Sequence, residues 1–107
     1  REAPQRIELH RKLANAASGS DLASLRRELR DRFGPLPAPV ELLLEVADLR
    51  LVAAGHGVSS IEVTEGKVKL TRHGQLVTVG GHFPRLTKKA ASARLAEIRR
   101  IIQSMGR

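Results

Sequence analysis

The carboxylates of Glu28 and Asp31 stand three residues apart in the arginine-dense run Arg27-Glu28-Leu29-Arg30-Asp31-Arg32. On a helix, that spacing makes a small acidic ridge of the kind that accepts guanidinium forks. With Arg27 beside them, the two acids form the candidate partner-binding set. They make a poor general acid and base, because they lie on an exposed flank among arginines and nothing marks a cleft. Judged by residue type alone, a solvated and salt-bridged helix face accounts for the pair better than a binding site does.

Other chemistries have less to stand on. His10, His56, His73 and His82 are scattered, with no His-Glu-x-x-His pattern. His73 and His82 could meet across a hairpin, yet two histidines without a third ligand are a weak metal signal. Gly80-Gly81 lacks the context of a phosphate-cradling loop, and no serine sits in a nucleophile elbow. No catalytic residue, metal site or cofactor is expected of this chain. Lys88, Lys89, Arg94, Arg99 and Arg100 are candidate anion-binding residues, able to neutralise phosphates with salt-dependent affinity. Against a nucleic-acid role, aromatic residues are 2% of the chain, so the stacking platforms of single-strand binders are missing.

The elements that position these groups follow from apolar spacing. A first helix is expected from about Pro4 through Ala17, with Ile7, His10, Ala14 and Ala17 on one face and Leu9 and Leu13 beside it. Ser20 is the expected cap of a second helix, whose stripe is Leu22, Leu25, Leu29 and Phe33. At about 100° per residue, Asp31 falls nearly opposite that stripe and Glu28 to its side, so both carboxylates are expected to look outward. Arg27 with Asp31, and Glu28 with Arg32, are spaced for weak i,i+4 pairs. Phe33, Gly34, Pro35 and Pro37 form a structural junction: the glycine closes the helix and the prolines prevent its continuation. The third helix, from about Pro39 to Ala54, is apolar over most of its circumference and therefore expected to be central to a core. Beyond Gly57 the period changes to two, giving strands around Val58–Val63 and Val68–Leu70 with Glu65-Gly66 as a tight turn. A third short strand is expected at Leu76, Val77 and Val79, then a loop through Pro84. The last helix is expected from about Leu86 to Met105, entered through Thr87, with Ala91, Leu95, Ile98, Ile102 and Met105 as its stripe.

The fold class expected is α+β: a helical N-terminal part (1–57), then a small antiparallel sheet of about three strands and a closing C-terminal helix (58–107). At 107 residues this is one domain. Its opening on Arg1 fits a fragment of a longer multidomain protein. There is no cysteine, so no disulfide framework or thiolate site. No apolar run approaches the roughly 18 residues of a membrane span, so no membrane partner and a cytoplasmic location are expected. Charge is uneven: residues 1–66 carry a net −1, whereas 67–107 carry ten Lys/Arg against one acid. That basic half suggests an anionic partner, or simply a solvated face that keeps the domain soluble.

The stretches Arg6-Ile7-Glu8-Leu9-His10-Arg11-Lys12-Leu13-Ala14 and Leu25-Arg26-Arg27-Glu28-Leu29-Arg30-Asp31-Arg32-Phe33-Gly34-Pro35-Leu36-Pro37, with the leucine-rich helix through Gly57, resemble the C-terminal domain of the bacterial transcription-repair coupling factor (TRCF) family. The likeness covers residues 5–64 and loosens from residue 65. It departs at His10, where the family usually has tyrosine, and in the short loop before the last helix. The resemblance implies a parent that is an ATP-driven DNA translocase, using ATP and magnesium in its motor and binding RNA polymerase, UvrA and duplex DNA. It implies that this domain is non-catalytic and packs against the parent's N-terminal UvrB-like module, masking the surface that recruits UvrA. Glu28 and Asp31 fall on the family's acids that face arginines of that module. The alternative, drawn from charge alone, is a basic accessory domain that holds nucleic acid through residues 67–107.

Overall fold

A computed structural model describes residues 3–105 and has an α+β fold of four helices and a three-stranded antiparallel sheet. The chain divides into two compact units, Arg1–Leu51 and Val52–Arg107.

In the first unit, α1 (Ala3–Asn15) and α2 (Gly19–Phe33) precede α3 (Ala38–Gly55), within which the division falls. Leu13, Leu22, Leu25, Leu29, Leu44 and Ala47 form its buried cluster, with Leu9, Ala16, Leu36, Val40 and Leu43 packed against it. Leu13 of α1 is therefore buried, with Leu9 and, just past the helix, Ala16 partly buried on the same side. His10, Ala14 and Ala17 are exposed, contrary to the expected face, and the Ile7 side chain lies outside the described residues. Leucines bury more apolar area than alanines, so the helix rolls toward them.

The cap of α2 is Ser18 rather than Ser20. Its Oγ accepts from the Asp21 N–H at 3.1 Å, while the Asp21 carboxylate accepts from the Ala17 N–H at 2.9 Å. This reciprocal arrangement satisfies two otherwise orphaned donors, which Ser20 could not do from inside the first turn. At the other end the Gly34 N–H donates to Arg30 O at 2.8 Å with φ of +78°, a backbone that disfavours any side chain. The Pro37 carbonyl then accepts from the Val40 and Glu41 N–H groups and starts α3. Glu41 pairs with both Arg26 and, at 3.6 Å, Arg30, tying α3 to α2 across the proline turn. Leu44 and Ala47 are buried on α3, yet Val46 is 45% exposed, so the apolar coat is not covered on every side.

In the second unit, β1 (Val58–Thr64), β2 (Lys67–Arg72) and β3 (Gln75–Leu76) pair in that order, all antiparallel. Both connections are two-residue turns with positive φ at each centre: Glu65 and Gly66, then His73 and Gly74. That combination matches the right-handed twist of paired strands. A bulge lies between Val58 and Ser60. Val68 and Leu70 on β2 are fully buried, as is Ile102 on α4 (Ala91–Ser104). The third strand is shorter than expected. Val77 still donates to Leu70 O at 2.8 Å, but Val79 turns away through Gly80-Gly81 to bridge His82. The chain then returns along β2, with Lys67 bridging Arg85.

The last helix starts at Ala91, five residues later than expected. Thr87 is not its cap. Instead the Glu97 carboxylate on α4 reaches back to accept from the Thr87 N–H, the Thr87 hydroxyl and the Lys88 N–H, at 2.6–3.1 Å. The Thr87 and Lys88 N–H groups are thereby satisfied outside a helix. Ile98 and Ile102 are buried in the expected stripe, whereas Ala91 is exposed at the helix start.

Candidate functional site

The last two turns of α2 and the turn after it carry the candidate site. Asp31 is exposed, and among the described residues no ion pair or hydrogen bond engages its carboxylate; the spacing to Arg27, also exposed, produces no pair. Glu28 differs. Its Oε2 accepts from Lys12 Nζ of α1 at 2.6 Å and lies 3.8 Å from Arg32 Nη1. The hydrogen bond and charge of Lys12, with a smaller contribution from Arg32, hold the Glu28 carboxyl below the usual carboxylate range. Lys12 is itself 3.8 Å from Glu8. The expectation that both acids look freely outward therefore holds for Asp31 alone. Glu28 is tied across the α1–α2 contact, because α1 lies along its flank.

Beside Glu28 is a small apolar groove of about 60 Å³. Leu9, Leu29, Leu36 and Val40 line it, Phe33 walls it, and Lys12, Glu28 and Arg32 form its polar rim. Phe33 was expected in the buried stripe but is 41% exposed, with the Arg32 guanidinium 5.2 Å from its ring centroid. Gly34 ends the helix one residue later, so the last turn overhangs the core and leaves the ring at the groove edge. Gly34, Pro35 and Pro37 form the turn that continues this wall into α3.

The expected anion-binding residues do not converge. Lys88 and Lys89 are exposed on the segment before α4. Successive helical residues turn by about 100°, so Arg94, Arg99 and Arg100 point in directions about 100–140° apart around α4. Among the described residues no group of three or more His, Asp or Glu is placed to hold a metal ion. His73 packs its ring against Gly57, and His82 closes the turn to Val79.

Two of the three further residues that shape these surfaces, Lys12 and Glu41, escape a sequence reading. Lys12 and Glu41 act on α2 from sixteen and fifteen positions away, beyond any helical spacing. Glu97 did leave a signal, as the sole acid in residues 67–107. Its carboxyl is lowered from 4.5 to about 2, chiefly by the Thr87 hydroxyl and then by the Lys88 N–H.

The fold defines an α+β module whose first unit carries a groove edged by Glu28. The chain belongs to the TRCF domain family, whose pattern residues 1–78 match. It is similar to the transcription-repair-coupling factor of Mycobacterium tuberculosis (strain CDC 1551 / Oshkosh), 43% identical over 56 residues that make up 52% of this chain and 4% of that protein. The corresponding factor of Mycobacterium bovis matches at the same identity and extent. That of Escherichia coli (strain K12) is 37% identical over 60 residues, 56% of this chain and 5% of that protein. The chain thus spans only about a twentieth of the length of the relatives it matches. Among the described residues, no helix is long and apolar enough to cross a membrane.

Proposed function

We propose that this chain is the autoinhibitory, protein-interaction domain of a transcription-repair coupling factor. It docks on the parent's N-terminal UvrB-like module and masks the UvrA-recruiting surface until repair is called for. The chain is non-catalytic in this reading. ATP and magnesium serve the motor elsewhere in a cytoplasmic parent, which also binds RNA polymerase and duplex DNA.

The observation that carries the proposal is the exposed Asp31 carboxylate, which no ion pair engages among the described residues, inside the stretch that matches the family. A carboxylate so placed accepts an arginine fork at little reorganisation cost, and the groove edged by Glu28 and Phe33 on another face of the same helix supplies apolar area. Contacts of interdomain size, about 600–1,500 Å² and fairly polar, are stable when tethered and yield to a competitor. The clamp is then a population switch: UvrA binds only the open state and so shifts the equilibrium toward it.

Titration calorimetry of this chain into the parent's isolated N-terminal module tests the proposal, with Glu28→Arg/Asp31→Arg alongside. Binding that the double variant abolishes supports the clamp. No binding, together with salt-sensitive binding to duplex DNA, supports the basic accessory role instead.

A further inference from the structure

A cationic hollow lies on the sheet of the second unit. Lys67 and Arg85 form an antiparallel bridge. The flanking hydrogen bonds run from the Val68 N–H to Pro84 O at 2.7 Å and from the Leu86 N–H to Gly66 O at 2.8 Å. The bridged residues exchange no hydrogen bond themselves. They are a non-hydrogen-bonded pair, the type that brings side chains of one face closest, with Cα atoms about 4.5 Å apart. Like charges directly opposite in such a pair repel. Lys69 follows on the same face, its Nζ 5.6 Å from the centroid of the Phe83 ring.

Little nearby offsets this charge. Residues 66–96 contain no Asp or Glu. The nearby carboxylates are Glu62 on β1, opposite Lys69, Glu65 in the turn before Lys67, and Glu97, which is taken up by Thr87 and Lys88; none is paired with Lys67 or Arg85. Among the described residues no ion pair engages Lys67, Lys69 or Arg85. Lys67, Arg85, His82, Thr78 and Phe83 together line a hollow of about 370 Å³. Two cations on directly opposed residues, a hydroxyl and an imidazole, with a ring as one wall, make an arrangement that favours an anion.

We propose that this hollow binds a phosphoryl group, with Lys67 and Arg85 as its charge clamp. Arginine offers paired donors in fork geometry and lysine a mobile point charge, so one phosphoryl group is held by both. The same chemistry is carried by a nucleic-acid backbone and by a free phosphorylated small molecule. The site rests on the strand pairing of the second unit and is independent of the clamp proposed above.

The test is an amide-resolved NMR titration of the chain with inorganic phosphate and, separately, with a short DNA duplex at several salt concentrations. Lys67→Gln/Arg85→Gln is compared with Lys88→Gln/Lys89→Gln. Phosphate shifts confined to residues 67 and 78–85, and lost only in the first variant, support a site that takes free phosphates. Duplex binding whose salt slope falls by about two in the first variant alone supports a site for a nucleic-acid backbone. Failure to bind either ligand overturns the site, and so does binding that both variants weaken equally. The first variant is also expected to melt no lower than wild type, since it removes a repulsive pair; a lowered melting temperature counts against the pairing argument.

Discussion

The two acids of the ridge differ in state, and that difference sets how much each would contribute to the proposed docking. Asp31 has no partner to give up among the described residues, so an arginine that reaches it brings a new charge-assisted bond. Hydrogen bonds to charged groups contribute about 1.5–3 kcal/mol. At a fairly polar, partly wet interface the low end applies, which converts to about tenfold in affinity. Glu28 must surrender or share Lys12, now 2.6 Å away, and one cation replaces another. Its net gain on docking is correspondingly small. Asp31→Ala is therefore expected to weaken binding to the N-terminal module by about tenfold and leave the melting temperature unchanged. Glu28→Ala is expected to change affinity by no more than about threefold, within the range of exposed ion pairs, while lowering the melting temperature through the lost α1–α2 tie. Calorimetry on both single variants, with thermal unfolding of each, separates these effects. A larger affinity loss for Glu28→Ala than for Asp31→Ala, with unchanged stability, would refute the reasoning.

Three further expectations concern the supports of the two units. The Glu97 carboxyl sits below its unfolded value, so its contribution to stability is present above about pH 4.5 and lost as pH falls toward 2. Amide exchange at Thr87 and Lys88 is expected to rise across that window in wild type, and to be already raised at neutral pH in Glu97→Gln. Glu41→Ala removes the partner of Arg26 and Arg30 at a half-buried position; a loss of about 1 kcal/mol in chemical denaturation is expected. Gly57 has φ of +76°, and a Cβ there would lie 2.5 Å from His73 Cε1. Gly57→Ala is expected to cost more than Gly34→Ala, where φ is similar but the space is open, and His73→Ala in the same chain should recover only the difference.

What could be read in advance was local. Apolar spacing places all four helices and the first two strands, since helix and strand periods depend only on which residues neighbours bring to one face. Gly34 between Phe33 and Pro35, and Glu65-Gly66, mark their turns because glycine, without a Cβ, takes a positive φ at little cost. The run from Arg27 to Pro37 likewise carries the family resemblance and points to Glu28 and Asp31 as residues to examine.

Distance in the chain hid the rest. Whether a carboxylate on a helix flank is free or tied depends on what lies alongside it, and Lys12 reaches Glu28 only once α1 and α2 share the leucine cluster. Phe33 has the spacing of a core residue, but the core ends before it does. The Lys67–Arg85 pair exists because the chain turns back at Gly80-Gly81 and runs beside β2, a return that no periodicity encodes. By itself the sequence determined the elements, their class and the family. Tertiary structure alone decided which charges are satisfied, because a charge's state is set by its neighbours in space, and those are chosen by the packing of apolar surface.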